Sequence, residues 1–424
     1  MVKKLVFLVV MFCLIFSGFV MADTASTKEI TVWHIWPDTD GNKGLFIKKV
    51  AKDFEQSTGI KVNLTQTDQD SYKTKIRVAI AGGNPPDVFS VWSFEGLYQF
   101  VRPAQVYDIT KDFNAKNYKA SFIPALLQGV TYNGKIYAIP IESAIGGVWY
   151  NKDIYAKYNL NVPKTWDEFA NVCETLKKNG IKPMTVGMNA SWTGLQLYMY
   201  LVDRAGGEKV FDSVIARKAG FTNPAFVKAN QTILDMVKNG WFNDDLLGVN
   251  YDESSQLQAQ GKTCMYIMGS WHLGMLKGIN PKGNWGFFPF PTIAGGKGNP
   301  TNMTGGAQQA FAVAEASKNK KEAVDFIKFM CSEAKQKEFF AMTNSLATSK
   351  TFMPDDAPEI LKDMQAYMTK ANHMVFWYDQ FLPAPVANAQ LQTLQKLFGG
   401  AISAQDAAKE MDQALVKEMG LVKK

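Results

Sequence analysis

Three tryptophans stand where predicted strands end, and two of them have a carboxylate nearby. The tryptophans are Trp36, Trp92 and Trp271, and the carboxylates are Asp38 and Glu95. In open α/β sheets, ligands bind in the crevice beyond the carboxyl ends of the strands. An indole ring offers a flat apolar face that suits the C–H face of a sugar, and a carboxylate accepts strong hydrogen bonds from hydroxyl groups. The pattern therefore favours a binding site for a neutral carbohydrate.

Each of these tryptophans has an alternative place in a hydrophobic core, because tryptophan is usually largely buried. Trp33 lies inside the first strand and is assigned to that class. A carboxylated or phosphorylated ligand would favour arginine, whose planar fork matches such groups. The chain has only four arginines, so its composition favours an uncharged ligand.

Sequence signatures of catalysis are few. The three histidines, His34, His272 and His373, are too scattered for a HExxH zinc motif. The segment "GKT" at 261–263 has Gln256 where a phosphate-binding loop needs a glycine. A carboxylate pair for glycoside hydrolysis stays open, because its members need not be close in sequence. Binding without catalysis is the favoured class, and a secreted carbohydrate-active enzyme is the alternative.

The elements that would position these residues alternate between short apolar strands and amphipathic helices, as in α/β proteins. Leu45–Thr58 has its apolar residues at helical spacing. Thr165 and Glu168 predict a capping box at the start of another helix. Lys320–Phe340 is predicted as one long helix, and Ala389–Gly420 as two helices joined at a Gly-Gly pair. The sequence therefore predicts an α/β fold.

The first 22 residues have the form of a secretory signal peptide. Lys3 and Lys4 precede the almost wholly apolar run Leu5–Met21, and cleavage is expected after Ala22. A retained membrane anchor is the alternative, although the run is short for a full span. The mature chain would begin at Asp23 and be secreted, into the periplasm where an outer membrane is present.

Charge and cysteine content exclude other classes. The formal net charge of +7 is spread along the chain without a basic block, so nucleic-acid binding is not expected. After cleavage, Cys173, Cys264 and Cys331 would remain, and they are too few and too far apart for a disulfide framework or a zinc site. At most one bridge can form, and none is the favoured expectation.

Four segments, in this order, carry a family resemblance: "ITVWHIWPDTDG", "GGNPPDV", "GKIYAIP" followed by "WYNKD", and "PKTWDEF". The chain resembles, over essentially its whole mature length, the periplasmic carbohydrate-binding proteins of ABC transporters. These are extracellular solute-binding proteins of family 1, which includes maltose-binding protein. The resemblance implies a type II periplasmic-binding-protein fold, with two discontinuous lobes that close by hinge motion around a mono- or oligosaccharide.

The resemblance also implies lobe limits and partners. The N-terminal lobe would comprise residues 23–141 and 291–331, and the C-terminal lobe residues 142–290 and 332–424. Hinge crossings would lie near 141–143, near 287–291 and after the helix at 320–331. The protein would be a monomer that delivers its sugar to the permease subunits of an ABC importer, with no catalytic residue, no cofactor and no metal. A glycerol-phosphate diester is the alternative solute within the same fold.

Eleven residues are implied as ligand contacts by their positions in this resemblance. They are Trp36, Asp38, Trp92, Glu95, Glu142, Trp192, Trp271, Gly305, Gly306, Trp377 and Asp379. The alternative role of Glu142 is a salt bridge that stabilises the hinge. The alternative for Gly305-Gly306 is a plain turn, whereas their ligand role would use the close backbone approach that glycine allows.

Overall fold

Strands and helices alternate along the chain, as the sequence predicts. In this computed structural model the described residues are 28–38, 42–349 and 353–420, and the predicted signal peptide, residues 1–22, lies outside them. The described residues form eleven strands and seventeen α-helices, which confirms the α/β class. No helix among them is both long enough and apolar enough to cross a membrane.

The bounds of these elements follow in chain order. The strands are β1 (Glu29–His34), β2 (Lys61–Gln66), β3 (Val88–Val91), β4 (Thr131–Tyr132), β5 (Lys135–Ile136), β6 (Ala138–Asn151), β7 (Lys182–Met184), β8 (Thr263–Gly269), β9 (Trp285–Phe288), β10 (Met303–Val313) and β11 (Met374–Val375). The helices are α1 (Lys43–Thr58), α2 (Gln69–Ala81), α3 (Glu95–Val101), α4 (Thr110–Asn114), α5 (Lys152–Lys157), α6 (Trp166–Lys178), α7 (Trp192–Gly206), α8 (Lys209–Ile215), α9 (Pro224–Lys238), α10 (Tyr251–Ala259), α11 (His272–Ile279), α12 (Lys320–Met330), α13 (Glu333–Thr343), α14 (Glu359–Lys370), α15 (Tyr378–Phe381), α16 (Ala384–Phe398) and α17 (Ala404–Met419).

Local sequence signals account for several helix ends. The predicted capping box is present at the start of α6, where the Thr165 side chain accepts from the Glu168 N–H and Glu168 reaches back. The two predicted C-terminal helices are α16 and α17. The prediction of one helix over Lys320–Phe340 is wrong, because α12 ends at Met330 and α13 starts after Ser332. Ser332 caps α13 by accepting a hydrogen bond from the Lys335 N–H.

One sheet runs through the whole molecule, with the strand order β2-β1-β3-β10-β6-β8-β7. β1 is parallel to both β2 and β3, whereas β10 is antiparallel to β3 and to β6. β6 also pairs antiparallel with β8 and β9, and β7 is parallel to β8. The long strands β6 and β10 therefore join two smaller sheets.

A separate hydrophobic core surrounds each half of this sheet. The smaller core collects side chains from β1, β3, α1 and α2, and the larger core collects those from β8, β9, α6, α7 and α9. Along β6 the chain leaves the smaller core at Ile141 and enters the larger one at Ala144. Along β10 it returns between Met303 and Ala310.

The segment at 287–291, predicted as a crossing, lies beside the larger core. Phe287 and Phe290 both pack within the larger core, and the strand that passes between the two cores is β10. The side chain of Arg204 fixes this region, because its guanidinium donates to the carbonyl oxygens of Phe290 and Asn302. Another passage between the cores lies at Phe339 and Phe340.

Candidate ligand-binding cleft

A cleft of about 180 Å³ lies between the two cores, at the carboxyl ends of β1, β3 and β8. Side chains from both cores line it, which is the arrangement expected for ligand sites in open α/β sheets. Eight of the eleven predicted residues line the cleft: Trp36, Trp92, Glu95, Glu142, Trp192, Trp271, Trp377 and Asp379. Asp38, Gly305 and Gly306 do not line it.

Trp36 is a core residue that also borders the cleft. Its side chain is only 2% exposed, and its ring stacks on Phe339 with centroids 5.7 Å apart. The ring of Phe311 meets it edge-on at 5.4 Å. Because these core contacts cover the indole, Trp36 supports the cleft from the core and does not project into it.

Trp92 lies beside a cluster of charged residues from the smaller core. The Lys73 ammonium is 5.2 Å from the centre of its ring, a distance suited to a cation–π interaction. Lys43, Lys73, Arg77 and Glu95 all line this side of the cleft, which we call the charged wall. They are positioned by the N-terminal ends or exposed faces of α1, α2 and α3.

The opposite side of the cleft is aromatic. Trp271 and Trp377 meet edge to face with centroids 5.5 Å apart, and Trp192 lies 6.3 Å from Trp271. Tyr251 continues the row, 5.2 Å from Trp192. These four residues, which we call the aromatic wall, come from four separate segments of the larger core. The row therefore exists only in the folded chain.

Glu142 forms a buried ion pair with a member of the charged wall. Its Oε1 lies 2.8 Å from Lys43 Nζ, and both side chains are almost completely buried. Glu142 lies on β6 at the change between cores, whereas Lys43 is the first residue of α1. The structural role that the sequence left as an alternative for Glu142, a salt bridge at the crossing, is therefore present alongside its place in the cleft.

The other carboxylates differ in their surroundings. Glu95 pairs with Arg102, at the start and end of α3. Burial raises the pKa of Asp379, and the positive charge of Lys73 opposes that rise. Asp38 lies outside the cleft, where its carboxylate is 2.6 Å from Lys48 Nζ and about half exposed.

Gly305 and Gly306 lie within β10 and do not form the plain turn. They pair with Ile145 and Ala144 on β6. Both have positive φ angles, of 155° and 143°. A Cβ on Gly305 would lie 2.3 Å from the Ala144 carbonyl oxygen, so close strand packing explains why glycine is needed there.

Several cleft-lining side chains carry buried polar atoms without a hydrogen-bond partner in the described chain. The atoms are Ser90 Oγ, Gln196 Oε1, Gln308 Oε1, Trp377 Nε1 and Gln380 Oε1. A buried polar group left unpaired costs about 1–3 kcal/mol, so native proteins rarely retain one without a reason. Their convergence on one cleft points to a ligand that hydrogen-bonds at several places.

The sequence analysis did not predict that Gln196, Gln308 and Gln380 line the cleft. Gln308 follows the Gly305-Gly306 pair along β10, and that proximity was the one available signal. Gln196 lies in the middle of the buried helix α7, and a polar residue in an otherwise apolar helix was a second signal. Gln380 has no comparable signal, because its neighbours in the cleft come from distant segments.

No group of three His, Cys, Asp or Glu side chains that could hold a metal ion exists within residues 28–38, 42–349 and 353–420. Cys173, Cys264 and Cys331 are buried and unbridged. Burial raises the pKa of Cys264 to about 12, which keeps this thiol protonated and unreactive at neutral pH.

Comparison with known proteins places the chain among binding proteins. A family model described as bacterial extracellular solute-binding protein matches residues 38–337. The multiple sugar-binding protein of Streptococcus mutans is 26% identical over 329 residues, which cover 73% of each chain. The melibiose/raffinose/stachyose-binding protein MelE of Bacillus subtilis is 26% identical over 330 residues, covering 76% of this chain and 74% of its own.

A solved structure from a study of xylan utilization by the thermophilic bacterium Caldanaerobius polysaccharolyticus is also similar. It shares 28% sequence identity with a TM-score of 0.85, covering 91% of this chain and 99% of its own. This likeness confirms the predicted type II fold with two lobes.

Proposed function

Because the chain belongs to the bacterial extracellular solute-binding protein family, we propose that it captures a sugar in the cleft and delivers it to the permease of an ABC importer. The observation that carries the proposal is the pairing of an aromatic wall with unpaired polar atoms in one cleft. Relatives named for binding multiple sugars, and melibiose, raffinose and stachyose, support the same ligand class.

The chemistry of the cleft suits a neutral polyhydroxyl compound. Indole faces pack against the C–H faces of sugar rings, and their edges leave the hydroxyl rim accessible. Three of the unpaired atoms belong to glutamine amides, which offer both donors and acceptors, as sugar hydroxyls do. Each hydroxyl that pairs with one of them would relieve the cost of a buried, unsatisfied group.

The charges of the cleft favour a neutral sugar over a phosphate diester. The lining cations are Lys43, Lys73 and Arg77, and the lining anions are Glu95, Glu142 and Asp379. The two sets are equal in number, and Lys43 is already paired with Glu142. A phosphate would have to compete with these carboxylates, whereas a neutral sugar leaves the pairs intact.

The proposal assigns the two hydrophobic cores to two lobes that close over the sugar. Closure by hinge motion would take place along β6, β10 and the segment at 339–340, where the chain changes core. The lobe limits predicted from the sequence would shift accordingly, with the second crossing at β10. We further propose secretion through residues 1–22, a periplasmic location, a monomeric state and no enzymatic activity.

The test is a thermal-shift screen of the chain from residue 23 onward. The sugar panel contains melibiose, raffinose, stachyose and oligosaccharides of xylan, and the comparison set contains glycerol phosphates and amino acids. A sugar at 100 times its dissociation constant should add about 2.7 kcal/mol of stability and raise the melting temperature. Stabilisation only by glycerol phosphates would support the alternative solute. Release of a smaller sugar during long incubation would support a carbohydrate-active enzyme instead.

A further inference from the structure

Tyr251 brings a hydroxyl group to the aromatic wall. It is the first residue of α10, whose start is fixed by a reciprocal capping box between Asn250 and Glu253. Its ring packs beside Trp192 and borders the cleft. Its oxygen lies 3.1 Å from Nδ1 of His272, and the direction of that hydrogen bond decides whether Tyr251 donates or accepts toward a ligand.

The amide of Gln258 determines that direction from the far side of His272. Its nitrogen lies 3.2 Å from the carbonyl oxygen of Trp149 and 3.4 Å from that of Cys264. Both carbonyl oxygens can only accept, so the atom that faces them is the NH2 group. The amide oxygen then faces His272 Nε2 at 2.8 Å. Because an amide oxygen can only accept, Nε2 carries a proton.

The His272 imidazole carries the proton on Nε2 and no second proton. The imidazole is completely buried, and the rings of Trp149 and Tyr266 meet it edge-on, with centroids 5.8 Å and 5.2 Å away. Burial lowers the pKa of His272 to about 3, because these surroundings disfavour the imidazolium. Nδ1 is therefore a bare lone pair at neutral pH, and Tyr251 donates its hydroxyl proton to it.

We propose that His272 and Gln258 are positioning residues that hold the Tyr251 hydroxyl as a hydrogen-bond acceptor toward the ligand, so that the cleft selects a sugar with a hydroxyl donor at this point. Because its proton is directed at His272, the Tyr251 oxygen can act only as an acceptor in any further hydrogen bond. A sugar hydroxyl can donate to it, whereas an ether, a methoxy group or a fluorine cannot. The inference rests on the proposed sugar-binding function and adds a rule for which derivatives bind.

A direct test reads the tautomer of His272 without any ligand. The chain contains only three histidines, so nitrogen-15 spectra of the imidazole groups are simple to assign with a His272→Asn variant. We expect a protonated Nε2 and an unprotonated Nδ1 for His272 at neutral pH. A protonated Nδ1 would reverse the hydrogen bond to Tyr251 and overturn the proposal.

A second test measures selectivity. The probe is whichever of melibiose, raffinose and stachyose binds most tightly, together with derivatives that carry fluorine in place of one hydroxyl at a time. In the wild-type protein, we expect fluorine to weaken binding about 10-fold at the position whose hydroxyl donates to Tyr251. That penalty should vanish in Tyr251→Phe, which has no acceptor to lose. The proposal is wrong if no penalty depends on Tyr251.

The role of His272 is separated from simple packing by two substitutions. His272→Leu removes the acceptor for the Tyr251 proton, so the fluorine penalty should shrink. His272→Asn places an amide oxygen near the former Nδ1, so most of the penalty should return. An equal penalty in wild type and His272→Leu would exclude a positioning role.

These outcomes are distinct from failure of the proposed function. If no sugar raises the melting temperature, the sugar-binding function fails and the selectivity rule fails with it. If sugars bind but the fluorine penalties ignore Tyr251, only the inference fails. A His272→Leu variant that does not fold leaves the nitrogen-15 spectra and the Tyr251→Phe comparison to decide.

Discussion

The two sides of the cleft differ in how their polar groups are engaged: two carboxylates on the charged side form ion pairs within the protein, whereas the aromatic side has buried amide and indole atoms without a protein partner. On the charged side, Lys43 is paired with Glu142, and Glu95 with Arg102. On the aromatic side, Gln196, Gln380 and the indole N–H of Trp377 carry buried atoms with no hydrogen bond in the described chain. The difference indicates that Glu142 and Glu95 already have protein partners, whereas the unpaired atoms of the aromatic side are positioned to pair with a ligand.

The tryptophans of the two sides differ in the same way. Trp36 is packed between Phe339 and Phe311 in the smaller core. Trp192 is only partly buried and has its ring among Tyr251 and Trp271 at the cleft. Residue type alone therefore does not identify a tryptophan that contacts the ligand. The packing of other side chains against its ring decides whether it is a core residue or is available to the ligand.

The largest expected effect is on stability, from Lys43→Met. This change leaves the buried Glu142 carboxylate without its ammonium partner, and breaking a buried pair typically costs about 3–5 kcal/mol. We expect a loss of that order in the free energy of unfolding, measured by urea denaturation. The double variant Lys43→Met/Glu142→Gln should recover most of it, because no buried charge is left alone.

The opposite result would change the assignment of the charged wall. If Lys43→Met unfolds like wild type but loses sugar affinity, the pair serves the ligand rather than the fold. The difference between the two walls would then disappear.

The next largest effect is expected from Trp192→Ala, on affinity rather than stability. Aromatic residues that a ligand covers on binding commonly contribute about 2 kcal/mol, which is about 30-fold in the dissociation constant. Trp166 is a matched control, since it is also partly buried on the larger core but lies away from the cleft. Calorimetric titration should show weak sugar binding for Trp192→Ala and near wild-type binding for Trp166→Ala.

Structural features that depend on residues close together in sequence could be predicted. Features that depend on contacts between residues far apart in sequence could not. The position of Trp92 and Trp271 beyond strand ends follows from local periodicity and from the rule for open sheets. The burial of Trp36 depends on Phe339, which lies at the other end of the chain. The ion pair of Glu142 likewise depends on how α1 docks against β6.

The helix break at Ser332 shows a limit of periodicity itself. The sequence predicts one amphipathic helix over Lys320–Phe340, whereas in the structure α12 has a clear apolar face and α13 does not. The competing signal was a serine able to cap a new helix, and the capping hydrogen bond to the Lys335 N–H is present. Periodicity reports which face is buried, whereas a cap decides where the helix begins.

A smaller effect on sugar affinity is expected from a change at Phe94, where the two sides of the cleft are in contact. Phe94 extends from the loop before α3 and packs against Phe376 and Phe381, with centroids 4.6 Å and 4.5 Å away. Its backbone has φ 55° and ψ −123°, a strained conformation for a residue with a side chain. Each aromatic pair contributes about 0.5–1.5 kcal/mol beyond its buried area. Under the proposed hinge motion, opening of the cleft would separate these rings.

Phe94→Ala should therefore weaken sugar binding roughly 3- to 10-fold, because closure loses part of its driving force. The matched control is Phe329→Ala, which removes a ring that packs within the smaller core against Phe54. That control should lower the melting temperature without changing the dissociation constant. Equal affinity loss in both variants would mean that general destabilisation, and not closure, is responsible.

The smallest effect is expected from Glu95→Gln. Glu95 lines the cleft and was predicted to contact the ligand, yet its carboxylate is already paired with the partly exposed Arg102. Exposed ion pairs contribute about 0–1 kcal/mol, so the melting temperature should change little. Sugar affinity should fall less than about 3-fold, since the Glu95 carboxylate already has a protein partner. A 10-fold or greater loss in calorimetric titration would show that Glu95 binds the sugar directly, and the charged wall would then share recognition with the aromatic one.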